Sequence, residues 1–106
     1  MRIDKKALRE SIAYLEGAPV IPFDPYPQYP GEVWACLGFL PPDYDYLSHH
    51  ERLTEKGTPI GEMTLGELGT MFTFLTRGER FCDGHIAASV EDGTLLALLR
   101  RLDELT

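Results

Sequence analysis

Seven of the eight prolines in this chain fall between residues 18 and 42, and that concentration constrains the fold more than any other feature. Proline has no backbone N–H and a locked φ, so it breaks helices and is excluded from central strands. Continuous secondary structure must therefore lie on either side of this stretch. Within it Pro19, Pro22 and Pro25 recur every third residue, as do Phe23, Tyr26 and Tyr29. Three residues is the polyproline II repeat, which would align the three rings along one edge of an extended strap. Such a strap either covers apolar surface or is offered to a partner. Long segments in compact domains survive by packing down, so the expectation is a strap laid across the core. Phe23, Tyr26, Tyr29 and Trp34 are the residues through which this region would touch a partner. Trp34 belongs to an apolar run, residues 32–40, that is too short to classify by its period.

Helical spacing is plain elsewhere. Asp4 is a candidate N-cap, and Leu8, Ile12 and Leu15 follow on one face of a helix that ends at Gly17. Pro41-Pro42-Asp43 reads as the start of a second helix, carrying Tyr44, Leu47, His50 and Leu53 inward and ending before Gly57. Thr64-Leu65-Gly66-Glu67 has the form of a capping box. Leu65, Leu68, Phe72 and Leu75 then repeat at helical spacing, with a stop near Gly78. Ile86, Ala87 and Val90 suggest a short helix with Gly93 as its C-cap. Thr94 opens a last helix striped by Leu95, Leu98, Leu99, Leu102 and Leu105. The expected class is all-α: a compact bundle of four to five short helices, with the proline- and aromatic-rich segment packed across it. At this length one core fits and two do not, so a single domain is expected.

The net charge is −7, and residues 10–51 hold seven acidic side chains with no Lys or Arg. That field repels nucleic acid, whose binding needs clustered Lys and Arg. It favours a basic protein partner or leaves room for self-association. No apolar run approaches the roughly 20 residues needed to cross a bilayer, and the N-terminus lacks the pattern of a signal peptide. A cytoplasmic protein is expected, with Cys36 and Cys82 reduced.

Residues 77–85 are the densest group of reactive side chains: Arg77, Glu79, Arg80, Cys82, Asp83 and His85 surround Phe81. Glu79 and Asp83 suggest an acid and base pair, yet Arg77 and Arg80 beside them would keep both ionised. Cys82 and His85 suggest a nucleophile pair, although such pairs usually come from distant segments. Cys82 and His85 with His49, His50 or Cys36 would supply four zinc ligands, but no paired C-x-x-C signature supports them. The stronger reading is structural, with Arg80 bridging helix ends through Glu79 or Asp83, and Asp83 capping the next helix. No phosphate loop, nucleophile elbow or H-E-x-x-H helix occurs. No catalytic set, metal or cofactor is expected.

The stretch R-G-E-R-F-C-D-G-H-I-A over residues 77–87, the turn Glu91-Asp92-Gly93 and the leucine-rich last helix together resemble a family of small bacterial proteins known as a domain of unknown function. Asp43-Tyr44-Asp45-Tyr46-Leu47 resembles a D-Y-D-Y-L element in some members. The resemblance implies a mostly helical, cytoplasmic, bacterial or phage-borne protein and carries no activity with it. Three functional readings follow. The first is a non-enzymatic protein-interaction module using its acidic surface. The second is a small enzyme or metal-binding protein centred on residues 77–85. The third is an acidic inhibitor that imitates nucleic acid.

Overall fold

The computed structural model describes residues 3–21, 29–81 and 84–106. Over these residues the chain folds into six α-helices and one 3-10 turn: α1 (Lys5–Glu16), α2 (Gly31–Leu37), α3 (Tyr46–Lys56), the turn Ile60–Glu62, α4 (Leu65–Phe81), α5 (His85–Glu91) and α6 (Thr94–Leu105). The described residues contain no strand. The all-α class holds, with six α-helices in place of four to five.

The leucine stripe of α6 organises the packing. Leu95, Leu98, Leu99 and Leu102 are fully buried, and α6 touches α1, α4, α5 and the 3-10 turn. Truncating any one of these leucines to alanine would cost about 2–5 kcal/mol. Lys5 clasps the Asp103 carboxylate and also donates to the Asp103 carbonyl at 3.0 Å, joining the start of α1 to the end of α6. The hydrogen bond from Lys5 holds the Asp103 carboxyl below its ordinary range. Arg101 Nε donates to the Met63 carbonyl at 3.0 Å, fixing the 3-10 turn to α6.

Two helices differ from the reading of the sequence. Part of the unclassified run of residues 32–40 is α2, because Val33, Cys36 and Leu37 are spaced to enter the core together. The Ser11 hydroxyl meets the carbonyls of Ala7 and Glu32, each at 2.9 Å, and ties α2 to α1. The other difference is at α3, which begins at Tyr46 and not at the prolines. Asp43 N–H donates to Thr73 Oγ1 at 2.9 Å, and Asp43 Oδ1 accepts from Asp45 N–H at 3.0 Å. These bonds hold residues 43–45 in a turn that competes with helix. Leu53 is buried and His50 half-buried as expected, whereas Leu47 is 66% exposed and Tyr44, left in the turn before α3, is 83% exposed.

Ile21 and Tyr29, on either side of residues 22–28, are buried, while Val20 is exposed. The extended strap expected to carry Phe23 and Tyr26 falls on residues outside those described.

Candidate functional site: the cleft between α3 and α4

α3 packs against α4, and a cleft lies between α3 and the start of α4. Thr64 and Glu67 form the capping box there: Thr64 N–H donates to Glu67 Oε1 at 2.9 Å and Glu67 N–H donates to Thr64 Oγ1 at 3.2 Å. Behind the cap, Gly66 and Gly69 present no side chains to α3. The result is a cleft of 680 Å³, within the size range of binding pockets. Leu40, Pro41, Leu53 and Leu65 line it, and α3 contributes His49, Arg52, Leu53 and Lys56. Those four positions are i, i+3, i+4 and i+7, one stripe of a helix.

One wall of the cleft is a polar network around Asp43, whose side chain is 18% exposed. Its Oδ2 lies 2.6 Å from His49 Nδ1 and accepts from Thr70 Oγ1 at 2.7 Å. Burial would raise the Asp43 carboxyl, but the hydrogen bonds from His49, Thr70 and the Asp45 amide outweigh it and hold the group below its usual range. The arrangement positions side chains and does not build a nucleophile. A hydroxyl nucleophile must give its proton to the histidine, whereas Thr70 donates to Asp43 and to the Gly66 carbonyl. His49 Nε2 instead faces Asp45 Oδ2 at 3.6 Å.

The described residues of the stretch 77–85 lie away from the cleft, at the C-terminal end of α4 and the start of α5. The Glu79 carboxylate accepts from Gly84 N–H at 3.0 Å, Ile86 N–H at 2.8 Å and the Tyr29 hydroxyl at 2.6 Å. It therefore caps α5 from the preceding helix and anchors Tyr29 at the same time. The capping expected of Asp83 is supplied at these two amides by Glu79, while Cys82 and Asp83 lie outside the described residues. Arg80, expected to bridge helix ends, is exposed and makes no ion pair among the described residues. The half-buried Arg77 guanidinium sits 5.7 Å and 5.6 Å from the ring centroids of Tyr44 and Tyr46. His85 meets the Phe74 ring edge-on at 5.2 Å, and His50 stacks on the same ring at 3.7 Å. Among the described residues no group of three His, Cys, Asp or Glu side chains gathers as metal ligands.

Of the aromatic residues expected at a contact surface, Trp34 is 48% exposed, while Tyr29 is buried. Tyr29 presents its hydroxyl to Glu79 and its ring to Trp34, with centroids 5.1 Å apart. Reading the sequence for site residues missed Asp43, Arg52, Lys56 and Thr70. The i, i+3, i+4, i+7 spacing of residues 49, 52, 53 and 56 is the signal that marks the stripe.

No curated protein and no solved structure matches the chain. A family profile does: the family of unknown function DUF6508 matches residues 32–106, which takes in α2 through α6 and the whole of the cleft. Both elements noted in the sequence, residues 43–47 and 77–87, fall inside it, and they meet where Arg77 lies over Tyr44 and Tyr46. The chain belongs to the DUF6508 family of unknown function.

Proposed function

We propose that the chain is a non-enzymatic protein-interaction module that receives an apolar ridge of its partner in the cleft between α3 and α4. The observation that carries this reading is the cleft itself: 680 Å³ of mostly apolar lining opened by two glycines, beside a polar network with no nucleophile in line. The chemistry of residues 77–85 supports an enzyme less well, because Glu79 is taken up by three hydrogen bonds and His85 by Phe74 and the main chain. Among the described residues the acidic side chains of this stretch are spread over α1 (Glu10, Glu16), α2 (Glu32), the turn before α3 (Asp43, Asp45) and α3 itself (Glu51), which weighs against a single face imitating nucleic acid. Cys36 is a free thiol whose burial pushes its pKa up to about 12, which suits a packing role and not a nucleophile.

Gly66→Trp tests the reading. A Cβ at this position meets nothing closer than Thr64 Oγ1 at 3.9 Å, and Gly66 lines the cleft, so a bulky side chain there is placed to obstruct it. A partner captured from lysate by the wild-type protein is expected to be lost with Gly66→Trp while the melting temperature holds. A partner retained equally by both proteins would overturn the assignment.

A further inference from the structure

Resting on the cleft as a binding site, we infer that its occupant is an acidic amphipathic helix of a partner protein, opposite in charge to the basic partner suggested by the net charge of −7. The cleft lining contains two carboxylates, Asp43 and Glu67, and both are engaged within the chain. Asp43 is held by His49, Thr70 and the Asp45 amide, and Glu67 by its capping box. The third titratable group, His49, lies between Asp43 and Asp45. Glu51 and Glu55, also on α3, do not line the cleft.

The cations of the lining are in the opposite condition. Arg52 and Lys56 are exposed, stand one helical turn apart, and have no carboxylate partner among the described residues. Elsewhere Lys5 and Arg9 meet Asp103, Arg100 meets Glu16, and Arg101 meets Glu104, while Lys6, Arg77 and Arg80, away from the cleft, also have no ion pair among the described residues. The formal charges of the lining balance, Arg52 and Lys56 against Asp43 and Glu67. The two carboxylates, however, are already hydrogen-bonded, which leaves the two exposed cations on the rim as the groups able to pair with an occupant. A helix laid along the groove would place apolar side chains over Leu53 and Leu65. Carboxylates spaced i, i+4 on that helix would match the i, i+4 spacing of Arg52 and Lys56.

The test uses two synthetic amphipathic peptides with the same leucine face, one with glutamate and one with lysine on the polar face. Binding is followed by fluorescence anisotropy at low and high salt. Wild-type protein is expected to bind the glutamate peptide about tenfold more tightly at low salt, with the preference shrinking as salt screens the pairs. Arg52→Glu/Lys56→Glu is expected to reverse the preference, Arg52→Gln/Lys56→Gln to abolish it, and Gly66→Trp to weaken both peptides. Equal binding of the two peptides, or preference for lysine, with Gly66→Trp still blocking, would overturn the acidic occupant and leave the cleft standing. Binding of neither peptide, or binding indifferent to Gly66→Trp, would overturn the cleft reading itself.

Discussion

A side chain that is absent accounts for one of the motif's glycines. A Cβ on Gly78 would lie 2.1 Å from His85 Nδ1, and His85 is held there by the Phe74 ring and the Leu75 carbonyl. Gly78→Ala is therefore expected to lower stability by about 1–3 kcal/mol in chemical denaturation, as overpacking does. Adding His85→Ala should recover part of that loss, because the two substitutions share one contact; strictly additive losses would show that the ring is not the cause. His50, stacked on the Phe74 ring, makes a different prediction. Burial first, and His85 second, push His50 below the ordinary imidazole range. The unfolded chain then takes up the proton more readily than the folded one. The contribution to stability is complete above about pH 6.5 and is lost as pH falls through the depressed folded value. His50→Phe keeps a flat ring against Phe74 and should flatten the pH dependence of stability between about pH 7 and 5, measured by urea melts. A slope unchanged from wild type would count against this role. The density of residues 77–85 was legible in the sequence, but their duties were not. Glu79 acts on amides five and seven positions ahead and on a hydroxyl fifty positions behind.

At the scale of elements, α1, α4 and α6 followed from their own residues. Asp4 accepts from Ala7 N–H at 3.1 Å as the N-cap of α1, and the capping box of α4 forms as spelled. Helices with local caps and a long stripe announce themselves because both signals act within a few residues. α2, with seven residues, offers too few turns for a period. The start of α3 was misplaced because a turn stabilised from α4, through Thr73, overrides a proline start. Gly69 illustrates how the two scales meet. It is buried within α4, where glycine weakens a helix, and a Cβ there would meet the Pro41 carbonyl at 3.7 Å, an ordinary contact. Gly69→Ala should stabilise the protein by about 0.5–1 kcal/mol in thermal or urea melts. A loss of stability would mean that the cleft floor tolerates no added methyl group.

Across the whole molecule the same division holds. Proline placement, leucine periodicity and capping chemistry were enough to establish an all-helical chain, because each works through neighbours along the backbone. The overall charge was also plain from composition, and it pointed to a basic partner. The charge presented by the cleft depends on pairing through space. Thr70 and His49 occupy the Asp43 carboxylate from 27 and 6 positions away, Asp103 is drawn to Lys5 across 98 positions, and Arg52 and Lys56 have no carboxylate partner among the described residues. Local spacing cannot show which charges are neutralised, since ion pairs and hydrogen bonds are selected by distance after the helices have packed. The fold class was therefore written in the order of residues, while the cleft and the pairing of its charged side chains arose from how α3 and α4 come together.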